Sequence, residues 1–156
     1  AGKKAKDMAA ARAQLTEVLQ NGKALEKFAE IIEAQHGDPR VIDDRKRLPL
    51  SQKRVTFSAS QTGFLAQVDT EKVGVASMVL GGGRQKASDA VDPSVGLEVH
   101  AKLGDAIQAG QPLVTIHHQE RGLDACLKIL EQAFSISDSP IEKPELFIDR
   151  IDEHSL

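Results

Sequence analysis

Between Gly96 and His118 the chain has to reverse direction twice in one short stretch, GLEVHAKLGDAIQAGQPLVTIHH. Leu97, Val99 and Ala101 alternate with polar residues, the period of a half-buried strand. Gly104-Asp105 marks one tight turn and Ala109-Gly110 a second, and Pro112 to Ile116 reads as a returning strand. Short strands joined by such closely spaced turns predict a small curled β unit. Closing it into a barrel-like form would remove exposed strand edges.

The segments on either side set the rest of the architecture. Met8, Ala11, Leu15, Val18 and Leu19 recur at helical spacing up to a stop at Asn21-Gly22. Leu25, Phe28, Ile31 and Ile32 form a second apolar stripe that Gly37-Asp38-Pro39 ends, and Glu17, Glu26, Lys27, Glu30 and Glu33 read as solvated faces. A polar connector, Pro39 to Ser51, carries the basic run Arg45-Lys46-Arg47. Asp43 and Asp44 offset its field, so a solvated linker is the expectation. Val55 and Phe57, then Phe64 to Val68, mark two extended runs around the turn Gln61-Thr62-Gly63. In Thr70 to Leu80 the valines favour a strand, but an N-cap at Asp69 or Thr70 and an exit at Gly81 favour a short helix. After the β unit, Leu123, Leu127, Leu130 and Phe134 line an amphipathic helix with Cys126 beside the stripe. Pro140 and Pro144 bracket a loop, and Leu146, Ile148 and Ile151 predict a last strand before a charged tail. The fold class expected is α+β: an N-terminal helix pair, a small curled β unit of barrel-sandwich or hammerhead-like form, and a packed C-terminal helix. The corresponding divisions are residues 1–50, 51–151 and the tail 152–156.

Composition narrows the function classes. Aromatic residues make up only 3% of the chain, with no Trp or Tyr, and the formal charge is −3. Stacking surfaces for bases are scarce and there is no basic excess for a phosphate backbone, so nucleic-acid binding is not expected. No apolar run approaches membrane-spanning length, and the opening residues lack the apolar core of a secretion signal. A lone cysteine, Cys126, has no internal disulfide partner and no zinc-type spacing around it, which suits a reducing cytoplasm. The opening Ala1-Gly2-Lys3-Lys4 lies close to a helical pattern already under way, the expectation for a piece of a longer chain.

Several local features invite chemistry. Gly81-Gly82-Gly83-Arg84, followed by Lys86, exposes backbone amides beside two cations and so suits an anion. It matches neither a GxxxxGK[ST] loop nor a GxGxxG fingerprint. The alternative is a sharp turn or a close backbone approach, with Arg84 and Lys86 pairing with Asp89 and Asp92. His100 and His117 are placed to lie on facing strands, which raises a metal site, but no carboxylate or cysteine has convincing ligand spacing. His36, His118 and His154 complete the histidines, and no serine sits in a GxSxG elbow. Cys126 reads as a small core residue. The residues therefore predict no catalytic group, no cofactor-binding residue and no metal ligand. Val68 to Val73 resembles the lysine-bearing turn of a lipoyl carrier domain, with Lys72 as the lysine. The preceding stretch lacks the matching GDxxxxGxxL half, so Lys72 is expected to be an ordinary surface residue, and a non-catalytic carrier or interaction domain is the alternative reading.

Taken in order, Gly81-Gly82-Gly83-Arg84, Asp89 and Asp92, Val95-Gly96, Leu103-Gly104-Asp105, Gly110 and Ile116-His117 resemble the C-terminal domain of thymidine and pyrimidine-nucleoside phosphorylases. Upstream, Asn21-Gly22-Lys23-Ala24, Phe28 and Gln35-His36-Gly37-Asp38 are similar as well, so the resemblance covers nearly the whole chain. It implies a parent enzyme that uses inorganic phosphate to cleave pyrimidine nucleosides to free base and pentose 1-phosphate. It also implies that the groups holding phosphate and base lie upstream of Ala1, so that this part alone is structural and inactive. Gly81, Gly82, Gly83, Arg84 and Lys86 would then brace the cleft. The implied partners are the upstream catalytic portion, the nucleoside and phosphate, and a second copy in a homodimeric full enzyme.

Overall fold

The computed structural model describes residues 4–84 and 86–148. Two compact units divide the chain, Ala1–Leu48 and Pro49–Leu156.

In the first unit, helix α1 spans Met8–Gln20 and α2 spans Lys23–Ala34. The Asp7 carboxylate accepts the Ala10 N–H at 2.7 Å. It so satisfies one of the free amides at the start of α1. Asn21 and the left-handed Gly22 separate the helices. The connector after them is not a bare linker. Asp38 and Asp44 each cap a single 3-10 turn, Pro39–Ile42 and Arg45–Arg47, by accepting backbone N–H groups two residues ahead. Asp38 also grips Arg40 in a two-pronged ion pair and accepts from Arg47 at 3.1 Å. Charge-assisted bonds of this kind organise much of the basic run. Neither helix of this unit buries a residue, and Met8, Leu15, Leu19, Leu25 and Phe28 are each more than half exposed.

Among the described residues, the second unit holds six strands and two α-helices: β1 (Lys53–Ser58), β2 (Gly63–Val68), α3 (Thr70–Ser77), β3 (Gly96–Val99), β4 (Ala106–Ile107), β5 (Pro112–His118), α4 (Leu123–Ala133) and β6 (Phe134–Ser137). They form two antiparallel three-stranded sheets, ordered β1-β5-β3 and β4-β2-β6. The class is α+β, as the sequence predicts, and the β part consists of two small antiparallel sheets. In β5 the alternation sorts the faces: Val114 and Ile116 point into the core, while Thr115 and His117 share the other face with their partners Thr56, Arg54 and Glu98. Leu65, Leu80, Ile107, Leu113, Ile116 and Leu130 are all at most 2% exposed. Each contributes about 1.5–3 kcal/mol through its removal from water. The rings of Phe57 (β1) and Phe134 (β6) lie 5.9 Å apart, tilted by 50°, and pack between the two sheets. That offset is one of the favoured arrangements of an aromatic pair.

Two expectations are corrected here. Phe134 lies at helical spacing from Leu130, yet α4 stops at Ala133 and Phe134 turns extended, with φ −112° and ψ 133°. Pairing of β6 with β2, Phe134 opposite Val68 and Ile136 opposite Leu65, outcompetes one more helical turn. The last strand among the described residues is thus Phe134–Ser137. Residues 138–148, including Leu146 and Ile148, form no helix or strand, and Ile151 lies outside the described residues.

Candidate functional site

Helix α3 starts where the Asp69 carboxylate accepts the Lys72 N–H, the capping that the sequence predicts. It does not end on a plain glycine stop. The backbone widens into a π-type turn, Met78–Gly82, that breaks at Gly81 with φ 106°. Only glycine adopts that conformation without strain. Three close approaches fix the turn. The Asp92 N–H donates to the Gly81 carbonyl at 2.9 Å. A β-carbon on Gly82 would lie 2.9 Å from the Ser77 hydroxyl oxygen. A β-carbon on Gly122 would lie 2.1 Å from the Val79 carbonyl oxygen, so the turn leading into α4 sits directly against the end of the α3 segment.

This arrangement adds a cation that the sequence reading passed over. Arg121 Nη1 lies 3.7 Å from the point a β-carbon on Gly81 would occupy, beside the run that carries Arg84 and Lys86. Its only signal in the sequence was a cation next to the glycine that opens α4. Arg84, Lys86 and Arg121 are all exposed. Asp92, one of the two expected carboxylate partners of Arg84 and Lys86, is engaged elsewhere. Asp92 accepts from the N–H of Ser94 at 2.9 Å and from its hydroxyl at 2.7 Å. Bonds that favour the ionised form lower the Asp92 carboxyl pKa. Asp89 accepts the Lys86 backbone N–H at 2.9 Å. The far end of the loop is anchored where the Ser94 carbonyl accepts the N–H of Ser51, a fully buried residue. Gly81, Gly82 and Gly83 therefore serve close backbone approach, and the loop presents its cations to solvent.

Other sequence candidates are dispersed. His100 Nε2 lies 2.7 Å from Thr115 Oγ1, and His117 Nε2 lies 3.8 Å from Glu98. No carboxylate orients the remaining ring nitrogen of His100 among the described residues, so this Thr–His contact lacks the third member of a nucleophilic triad. His118 is buried, and its Nδ1 accepts the Glu120 N–H. His36 sits in the first unit with φ 62°, and His154 is outside the described residues. Among the described residues no three or more His, Cys, Asp or Glu side chains are placed to share a metal ion. Cys126 is fully buried on α4, and desolvation pushes its thiol up to about 11. Lys72 lies in the first turn of α3, ion-paired to Asp69 at 2.8 Å, whereas a swinging-arm carrier needs its lysine at a hairpin tip. No described helix is long and apolar enough to cross a membrane.

The comparisons with known proteins converge on one group. Residues 64–137, from β2 through β6, match the family model described as "Pyrimidine nucleoside phosphorylase C-terminal domain". Curated proteins named pyrimidine-nucleoside phosphorylase from Staphylococcus aureus strains USA300, NCTC 8325 / PS 47 and COL are each 38% identical over 135 residues. Those alignments cover 86% of this chain but only 31% of each relative.

Proposed function

We propose that the chain is the C-terminal, supporting end of a pyrimidine-nucleoside phosphorylase whose catalytic groups lie in the part it does not span, a reading supported by the family match over residues 64–137 and by the 38% identity to the curated relatives. In the parent reaction a phosphate oxygen attacks C1′ of the nucleoside while the bond to the base breaks. The base leaves with the electron pair and takes up a proton, giving pentose 1-phosphate. The protein's work in such a step is to position phosphate and to stabilise charge on the departing base. In this reading residues 1–50 belong to the α/β domain of the parent, and 51–151 are its C-terminal domain. The parent is a cytoplasmic homodimer.

Within the chain, Gly81, Gly82, Gly83, Arg84 and Lys86 are the cleft-bracing group. The observation that carries this is the Gly81 turn, held by Asp92 and backed by the Val79–Gly122 approach, which sets a cation-bearing loop on a rigid base. The uncovered apolar residues of α1 and α2 support an upstream partner. Helices with no buried residue gain almost none of the packing energy that helices normally depend on, and upstream chain covering Leu15, Leu19 and Phe28 would supply it.

Phosphate-dependent release of uracil or thymine tests the proposal. The 156-residue chain should show no turnover, and the full-length parent should be active. In the parent, Arg84→Ala should lower kcat/KM by about tenfold, the loss of roughly one charge-assisted contact. Turnover by the 156-residue chain alone would place the active site here and overturn the reading.

A further inference from the structure

A second feature lies at the far end of α4. A rise of about 1.5 Å per residue puts that end about 16 Å along the helix from Gly122. There a cleft of about 550 Å³ lies beside the end of β1, the start of β5 and strand β6. Phe57 and Phe134 line it, Leu113 contributes from β5, and Ser58, Ser60 and Glu131 supply oxygen atoms. Its electrostatics have one sign. Among the described residues, no Lys, Arg or His lines it. The Glu131 side chain makes no hydrogen bond or ion pair among the described residues and is exposed. The last turn of α4, which carries Glu131, has no basic residue to offset the partial negative charge of a helix C-terminus. Aromatic faces add to the same preference, because the ring quadrupole attracts cations.

We propose that this cleft binds an alkylammonium group, with the amine against Glu131 and the end of α4 and its methylenes against Phe57 and Phe134. The apolar stem of such a ligand matches the rings, and its charged head matches the unpaired carboxylate. A carboxylate or phosphate ligand would meet repulsion from every charged element of the cleft. A free small amine and a lysine side chain of another protein present the same chemistry.

The test is an amide NMR titration of the 156-residue chain with n-butylammonium chloride. Saturable shifts are expected at Phe57 to Gln61 and at Glu131, with no response to sodium chloride at matched ionic strength or to n-butanol, the neutral analogue of similar shape. Glu131→Gln changes an exposed side chain and should weaken binding by about fivefold, as loss of a solvent-accessible ion pair does. The tripeptide acetyl-Gly-Lys-Gly-amide separates the sources. Equal or tighter binding identifies a lysine side chain as the ligand, and binding of n-butylammonium alone identifies a small amine. The proposal falls if neither probe gives a saturable shift, if n-butanol acts equally well, or if Glu131→Gln binds undiminished.

Discussion

Replacing Gly122 with alanine isolates the approach that seats α4 against the end of the α3 segment. Two costs add. Gly122 has φ +68°. Holding an L-residue in that left-handed region costs about 1–2 kcal/mol. The new β-carbon would stand 2.1 Å from the Val79 carbonyl oxygen. Carbon–oxygen contacts settle near ~3.3 Å. Backbone must therefore move by about 1.2 Å, and forced shifts of this kind in a packed interior cost about 1–3 kcal/mol. The expected loss is about 2–5 kcal/mol, a large share of the ~5–15 kcal/mol that holds a typical domain together. Two alanine variants separate the causes. Gly110 has φ +80° with nothing within 4 Å of its β-carbon site. Gly110→Ala should therefore cost only the conformational part, about 1–2 kcal/mol. Gly74 lies inside α3 with open space around it. Gly74→Ala should stabilise by about 0.5–1 kcal/mol. Urea unfolding followed by the amide NMR signals of β5 gives the four midpoints. The expected order, most stable first, is Gly74→Ala, parent sequence, Gly110→Ala, Gly122→Ala. If Gly122→Ala unfolds at the same urea concentration as Gly110→Ala, the Val79 contact is not a close one and the packing argument fails.

Asp38 should titrate far below an ordinary aspartate. The Arg40 guanidinium donates to it, with a further donor from Arg47, and holds its carboxyl down to about 2. A depressed carboxyl pKa stabilises the fold above the unfolded value near 3.8, and that contribution is lost as pH falls through about 2. Carbon-13 NMR of the carboxyl should show a midpoint near 2 that rises in Arg40→Gln; an unchanged midpoint in the variant would remove Arg40 as the cause. Cys126 should resist a thiol–disulfide reagent at pH 8 in the folded chain and react at once in urea, because burial disfavours its thiolate. Cys126→Ser should cost about 1–3 kcal/mol for a hydroxyl buried without a partner. Reaction of the folded protein at the rate of a free thiol would contradict the placement of Cys126 in the core.

The helices were legible in the sequence because their signals are local. The apolar stripes of α1 and α2, the Asn21-Gly22 stop and the Asp69 cap all act within one or two turns of chain. Strand β5 was legible for a related reason, since turn residues and alternation frame it on both sides. Strand β6 was not. Leu130 and Phe134 keep helical spacing, and only the presence of β2, far away in sequence, makes an extended Phe134 the better solution. The glycine run was visible as a turn. The approach of Gly122 to Val79 and of Arg121 to Gly81 was not, because it joins residues far apart in the chain without any pattern to mark it. The expected pairing of Arg84 and Lys86 with Asp92 failed for a local reason, since the adjacent Ser94 offers that carboxylate two donors at no loop-ordering cost.

The family match begins at residue 64, but the sheet at the centre of the second unit does not. Strand β1, Lys53–Ser58, borders β5 along its length from His118 to Pro112, and the buried Ser51 hydroxyl donates to the His118 carbonyl just before it. A protein cut at residue 64, where the family match begins, would therefore expose one whole edge of β5, with its row of unpaired amides and carbonyls and the apolar side chains of Val114 and Ile116 beneath. Such an edge recruits strands from neighbouring molecules. The smallest piece able to stay monodisperse in solution thus has to begin ahead of Ser51, and the strand that shields the matched domain from self-association lies just outside the family match.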